Sequence, residues 1–182
     1  MSCIYGRHQF GNEDQGWVAH FLIRALEDKP LTIYGDGRQV RDVLFVDDLV
    51  EAFLLARTHY RTLSGQPFNI GGGPDNAISL LELLAMIAEL DGAPPKCESG
   101  EWRAGDQRYY VSDTSKFRAA TGWRAKIAPA EGVAELYEWL RRRRGLEPRR
   151  ARGSPGGRAM RRRFAARSTL AGATEQRRES GV

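Results

Sequence analysis

The segment of residues 31–48, LTIYGDGRQVRDVLFVDD, constrains the fold of this chain more than any other segment. Its pattern predicts a strand, a tight Gly-Asp-Gly turn, a return strand and a helix capped by Asp47 or Asp48. The two glycines supply the positive backbone angles that a hairpin turn needs. Arg41 lies on the return strand, and its planar guanidinium with five donors suits a phosphate or diphosphate. We therefore expect a β-hairpin that presents an anion-binding arginine.

Outside this segment, hydrophobic periodicity and capping residues predict short strands alternating with helices. The pattern Ser79-x-x-Glu82 is a capping box, and it opens a helix that should end near Gly92. The other predicted elements are a strand end at residues 2–6, helices at 15–26, 49–54 and 114–121, a last helix from Pro129, and short strands at 67–70 and 108–112.

Two motifs of nicotinamide-dependent chemistry are missing from the 182 residues. No Gly-x-Gly-x-x-Gly or Gly-x-x-Gly-x-x-Gly occurs, and Gly71-Gly72-Gly73 leads into Pro74 and reads as a loop. That motif lets a dinucleotide pyrophosphate approach backbone N–H groups at a helix N-terminus. None of the six tyrosines has a lysine four residues later, so no tyrosine–lysine pair is present for general base catalysis. For nicotinamide-dependent chemistry of this kind, we therefore expect no catalytic residues in this chain.

Five short motifs occur in a fixed order: Tyr-Gly, Gly-Asp-Gly with Arg-Asp, Asn-Ile-Gly-Gly, Arg-x-Gly-Asp, and Asp-x-Ser-Lys with Gly-Trp. In this order they resemble the NAD-dependent epimerase/dehydratase family, the extended short-chain dehydrogenases/reductases, over about residues 1–144. The stretch from Ser2 to Val18 looks closest to the CDP-paratose (tyvelose) 2-epimerases, although Cys3 stands where many relatives have asparagine. Arg7 stands where they commonly have proline.

The resemblance implies an α/β fold made of the substrate-binding lobe and last strands of an extended Rossmann-type enzyme, with the N-terminal cofactor domain missing. Intact relatives use bound NAD to oxidise and re-reduce a sugar carbon of a nucleotide sugar. We therefore expect a fragment that is inactive alone and binds no NAD by itself. Met1 would then be an internal methionine of a longer protein.

The resemblance also implies six substrate-binding residues. Arg41 is expected at the diphosphate; the alternative is a surface arginine paired with Asp42 or Asp48. Arg103 resembles the second phosphate-binding arginine of the family, and Asp106 follows it where relatives often place a group near the ribose. The remaining three are Tyr34, on a strand that also carries Thr32, Asn69 at a strand end, and Trp17. Tyr34 could equally be a core residue. Trp17, at helical spacing with Phe21, is more often core, and Trp123 and Trp139 are expected to be core residues. Asn69 could cap its own turn.

Charge divides the chain into two parts. Residues 141–182 hold 14 arginines, no lysine and three glutamates, a charge of +11, whereas residues 1–140 carry −6. Residues 145–182 are predicted to be a disordered tail because they contain few apolar side chains. Such a tail could bind nucleic acid non-specifically, but arginine without lysine favours an unselected extension.

Composition excludes several classes of protein. Two cysteines are too few for a disulfide framework, and the three histidines have no metal-ligand spacing. No apolar run reaches 18 residues and no secretory signal is visible, so the sequence favours a cytoplasmic protein without a membrane partner. Expected partners are a nucleotide sugar and either a separately encoded Rossmann half, which would make a split enzyme, or a second copy of the chain. Nucleic acid is the less favoured alternative.

Overall fold

The computed structural model describes residues 3–146, in which short strands alternate with helices. The strands are β1 (Cys3–Tyr5), β2 (Leu31–Tyr34), β3 (Val40–Phe45), β4 (Ala77–Ser79), β5 (Cys97–Gly100) and β6 (Tyr109–Tyr110). The helices are α1 (Trp17–Leu26), α2 (Val46–Thr58), α3 (Tyr60–Leu63), α4 (Leu80–Asp91), α5 (Ser115–Thr121) and α6 (Pro129–Arg143). A single 3₁₀ turn at Pro74–Asn76 precedes β4.

Strand β3 is the centre of the larger sheet. Its second half runs parallel to β1, with Cys3 opposite Val43 and Tyr5 opposite Phe45. Its first half pairs with β4 in the antiparallel direction and with β6 in the parallel direction. Strands β2 and β5 form a separate two-stranded parallel sheet. The α/β class predicted from the sequence is confirmed.

The predicted hairpin of residues 31–46 is wrong, although both of its strands exist. β2 pairs with β5, and β3 pairs with β1, β4 and β6, so the two strands belong to different sheets. The Gly-Asp-Gly turn is present, with φ of 75° at Gly35 and 70° at Gly37. The turn therefore carries the chain from one sheet to the other.

Helix α2 also begins differently from the prediction. It starts at Val46, directly after β3, so Asp47 and Asp48 lie in its first turn and neither caps it. Asp48 is buried, and its carboxylate accepts hydrogen bonds from the backbone N–H groups of Lys126 and Ile127 at 3.1 and 3.0 Å. It therefore connects α2 to the segment before α6.

The capping box predicted at the start of α4 is confirmed. The Ser79 hydroxyl accepts from the Glu82 N–H at 3.2 Å, and the Glu82 carboxylate accepts from the Ser79 N–H at 2.8 Å. The helix ends at Gly92, which is left-handed with φ of 80°. The strand predicted at residues 67–70 is wrong, because that segment is irregular, and the one at 108–112 is only two residues long.

Apolar side chains from β1, β3, α1, α4 and α6 are buried. Phe117 of α5 belongs to a core cluster with Leu44 of β3, Ala52 of α2, Leu63 of α3 and Trp123. Trp123 packs edge-to-face on Phe117 and is buried as expected, whereas Trp139 is only partly buried and contacts His8 and Phe10. Helix α2 leaves the apolar side chains of Val50, Phe53 and Leu54 exposed.

The arginine-rich segment falls outside the described residues from position 147 onward. Its predicted disorder and the boundary at residue 144 therefore stay predictions. None of the helices within residues 3–146 is long and apolar enough to cross a membrane.

Candidate functional site

A cleft of about 420 Å³ opens between α1, β2, the start of β3 and the segment after β5. Five of the six predicted site residues line it: Trp17, Tyr34, Arg41, Arg103 and Asp106. Thr32, the other residue of β2 considered from the sequence, also lines it. Side chains that are far apart in the sequence therefore share one surface.

Arg41 extends from β3 into the cleft and is only 20% exposed. One terminal nitrogen donates to the Val40 carbonyl at 2.9 Å, and the other donates to Asp106 Oδ1 at 3.0 Å. Arg41 thus pairs with neither Asp42 nor Asp48, the two partners expected if it were only a surface arginine. Asp42 is instead buried and accepts from the Gly73 N–H at 3.0 Å.

Arg103 lies over the ring of Tyr34, with the guanidinium carbon 3.9 Å from the ring centroid. The Tyr34 hydroxyl donates to Glu13 Oε1 at 2.5 Å, and Arg103 donates to the same oxygen. The hydrogen bond from Tyr34, followed by the charge of Arg103, holds the pKa of the Glu13 carboxyl below its usual range. The three side chains form an exposed cluster at the cleft.

The segment of residues 102–106, here called the strap, lies against the turn between β2 and β3. The Trp102 ring covers Gly35, where an added Cβ would come within 2.5 Å of ring atoms. A backbone hydrogen bond of 3.2 Å from Asp106 N–H to the Arg103 carbonyl closes the strap into a turn. The strap therefore holds Arg103 and Asp106 near each other. The ion pair with Asp106 keeps Arg41 beside them.

Less polar residues form another part of the cleft. Trp17 is partly buried and packs edge-to-face on Phe21 at 5.9 Å. Burial raises the pKa of the Cys3 thiol to about 11, so this thiol is neutral at pH 7. Burial and the nearby Arg24 lower the pKa of His20, so its imidazole is also uncharged at pH 7.

Asn69 is the predicted site residue that the structure does not bring to this cleft. It is exposed on the irregular segment after α3, and its neighbours Phe68 and Ile70 line a different groove against α2 and α5. A role for Asn69 in ligand binding stays a prediction without support from its position.

Sequence reasoning missed Glu13 and Gln39. Glu13 comes from an irregular loop, and no local pattern indicates its distant partners. Gln39 is 5% exposed, lines the cleft and donates from Nε2 to the Tyr34 carbonyl at 2.7 Å. A glutamine two residues after a tight Gly-Asp-Gly turn was the available signal for a residue that fixes this junction.

Known proteins with related sequences are nucleotide-sugar enzymes. Residues 1–71 match the NAD dependent epimerase/dehydratase family. The chain is 37% identical over 143 residues to the CDP-paratose 2-epimerase of Salmonella typhi, covering 76% of this chain and 42% of that protein. It is 38% identical over 138 residues to the UDP-glucose 4-epimerase of Mycolicibacterium smegmatis, covering 76% and 43%. The chain thus spans less than half the length of these relatives.

Solved structures of the same class share the fold. The UDP-glucose 4-epimerase of Thermotoga maritima with UDP-glucose matches with a TM-score of 0.69 and 31% identity, over 78% of this chain and 44% of that one. The UDP-glucuronic acid 4-epimerase of Bacillus cereus, in complex with UDP-glucuronic acid and NAD, matches with a TM-score of 0.70 and 25% identity, over 78% and 43%. The fold is therefore that of part of an extended Rossmann-type epimerase.

The N-termini of α2 and α4 do not fit the dinucleotide pyrophosphate of NAD. Helix α2 follows a parallel strand but begins without a glycine turn, and Asp47 and Asp48 place negative charge in its first turn, which disfavours an anion. At α4, the N-terminal N–H groups of Ser79 and Glu82 are already bonded within the capping box. Within residues 3–146, no group of three or more His, Cys, Asp or Glu side chains could hold a metal ion.

Proposed function

We propose that this chain, a relative of the NAD-dependent epimerase/dehydratase family, binds the diphosphate and base of a nucleotide sugar in the cleft described above. The observation that carries this proposal is the convergence of Arg41 and Arg103 on one cleft, coupled through Asp106. Planar guanidinium groups bind phosphate oxygens with charge-assisted hydrogen bonds. Two of them on one surface suit two linked phosphates.

The apolar and aromatic residues of the cleft suit the remaining parts of such a ligand. Tyr34 and Thr32 lie side by side on β2, where a base or ribose could contact the ring and the hydroxyl. Trp17 and Phe21 offer an apolar surface next to the neutral Cys3 and His20 side chains. We propose that the sugar lies toward this less charged region.

A CDP-sugar is the ligand that we propose first, because the Salmonella typhi relative is a CDP-paratose 2-epimerase. The whole protein would then be an epimerase in which NAD carries the hydride. The residues of this chain would bind and orient the nucleotide sugar, and we propose that they do not catalyse the reaction alone.

The nicotinamide-binding half is proposed to be a partner of this chain, encoded with it or separately. In the part of the chain that the structure describes, β1 pairs only with β3, so its other edge can continue a parallel sheet. A Rossmann half or a second copy could supply the next strand. Co-expression with the N-terminal half of the Salmonella typhi relative, followed by size-exclusion chromatography, tests the first of these. Separate elution of the two chains would contradict it. A cytoplasmic setting stays part of the proposal.

Titration calorimetry with CDP-glucose tests the binding function. Arg41→Ala should weaken binding by about 10- to 100-fold, because a charge-assisted hydrogen bond contributes roughly 1.5–3 kcal/mol. Arg38→Ala is the matched control, since Arg38 is an exposed arginine three residues away that does not line the cleft. Equal affinities of wild type and Arg41→Ala, or no heat with wild type, would contradict the proposal.

A further inference from the structure

The carboxylate of Glu13 is the immediate partner of Arg103. Its Oε1 accepts hydrogen bonds from both Arg103 and the Tyr34 hydroxyl, and all three residues line the cleft. The second arginine, Arg41, is paired with Asp106. Each arginine that would contact the diphosphate therefore has a carboxylate of the protein as its partner in this structure.

The two carboxylates differ in how readily they can be exchanged for another anion. Asp106 is 29% exposed and belongs to the strap, whose turn is closed by its own backbone hydrogen bond. The Glu13 side chain is 52% exposed, and it extends from the loop between β1 and α1. Glu13 can therefore turn into water without any change in the sheet or the strap.

The backbone of that loop is held independently of Glu13. Asn12 Oδ1 accepts from the N–H groups of Asp14 and Gln15 at 3.0 and 2.8 Å, and the Asn12 N–H donates to the Gln15 carbonyl at 2.8 Å. These bonds fix the turn around Glu13 whether or not its carboxylate is bound. Release of the side chain consequently requires a change of rotamer and the loss of its bonds to Arg103 and Tyr34, without a change of the backbone.

We propose that Glu13 is an internal competitor for the phosphate of the ligand, released from Arg103 when that phosphate binds. This inference rests on the proposed function, since it assumes that Arg103 contacts a diphosphate. An exposed ion pair between side chains contributes little to stability, whereas a guanidinium bound to a diphosphate that carries two negative charges makes stronger, charge-assisted bonds. If Arg103 must exchange Glu13 for the ligand, the site favours a strongly anionic ligand over a weakly charged one.

The competitor hypothesis predicts that loss of the Glu13 charge improves binding. Glu13→Gln should bind both CDP-glucose and inorganic pyrophosphate about two- to fivefold more tightly than wild type, the range expected for removal of one exposed ion pair. Asp14→Asn is the matched control, because it removes the same charge from the same loop but lies 4.0 Å from Arg103 and is 89% exposed. It should change either affinity by less than about twofold.

A second comparison separates competition from a general effect of charge or of loop structure. In an Arg103→Ala background, Glu13→Gln should leave the affinity for pyrophosphate unchanged, because Glu13 has then lost the group for which it competes. If Glu13→Gln weakens binding, leaves it unchanged, or produces the same gain without Arg103, the hypothesis is wrong. Glu13→Ala, checked for folding by circular dichroism, must show the same direction of change.

The two probes also distinguish this hypothesis from the proposed function. If wild type binds pyrophosphate but not CDP-glucose, the nucleotide-sugar proposal fails, and the pyrophosphate titrations alone decide the role of Glu13. If neither wild type nor Glu13→Gln binds either probe, both proposals are overturned.

Discussion

Arg41 and Asp106 form an ion pair of 3.0 Å, although 65 residues separate them in the sequence. This contact fastens the strap to the central strand β3 and brings Arg103 to the same cleft. Its position explains how one cleft is formed by segments that belong to two different sheets. Substitutions at the glycine beneath the strap, at Asp47 and Asp48, and at the cleft cysteine each test a separate part of this account.

Gly35 should be intolerant of substitution because the strap lies on it. Its φ of 75° disfavours an L side chain, and the added Cβ of Gly35→Ala would come within 2.5 Å of the Trp102 ring. We expect destabilisation of about 2–4 kcal/mol together with weaker nucleotide binding, since backbone strain adds to the displacement of the ring. Urea denaturation and calorimetry measure the two effects.

Gly65→Ala is the control for that experiment. Gly65 has nearly the same φ, 73°, but nothing lies within 4 Å of its Cβ position. Only the backbone cost of roughly 1–2 kcal/mol for an L residue in the left-handed region should remain, with unchanged affinity. Equal losses of stability and affinity in both variants would show that the strap does not depend on close packing against Gly35.

The adjacent residues Asp47 and Asp48 should differ sharply in their contribution to stability. Asp48→Ala leaves two backbone N–H groups, of Lys126 and Ile127, without their acceptor, and should cost about 2–4 kcal/mol. Asp47→Ala removes an ion pair with Arg7 that is half exposed, and should cost less than about 1 kcal/mol. Similar midpoints of urea denaturation for the two variants would contradict the assigned role of Asp48.

Cys3 should react slowly with thiol reagents and should be protected by ligand. Burial raises its pKa to about 11, so at pH 7 the thiolate is scarce, and its fraction grows as the pH rises toward that value. In a Cys97→Ser variant, the rate of alkylation by iodoacetamide should rise steadily between pH 7 and 10. CDP-glucose should slow it, because Cys3 lines the cleft. A rate that is already maximal at pH 8, or is unaffected by ligand, would be inconsistent with this position.

Local features of the sequence predicted the elements better than they predicted the partners of those elements. The capping box of α4 was correct because both of its residues lie within one turn. The hairpin prediction was wrong because a Gly-Asp-Gly turn allows the two strands on either side of it to pair but does not require them to do so. The pairing of β2 with β5 depends on residues more than 60 positions away.

The predictions of site residues succeeded or failed for the same reason. Arg41, Arg103 and Asp106 were found through motifs, and the structure places them together in the cleft. Glu13 could not be found in this way, because its contacts lie 21 and 90 residues away on Tyr34 and Arg103. Asp48 was misread as a cap, since an aspartate in the first turn of a helix has the same local sequence signal as one at the N-cap.

A crystal structure of the protein with bound CDP-glucose tests the central claim most directly. The account predicts that the two phosphates lie between the guanidinium groups of Arg41 and Arg103, at hydrogen-bond distances of about 2.7–3.2 Å. The carboxylate of Glu13 should have turned away from Arg103. A nucleotide bound elsewhere, such as in the groove beside Phe53 and Phe68, or phosphates that contact neither arginine, would contradict the account.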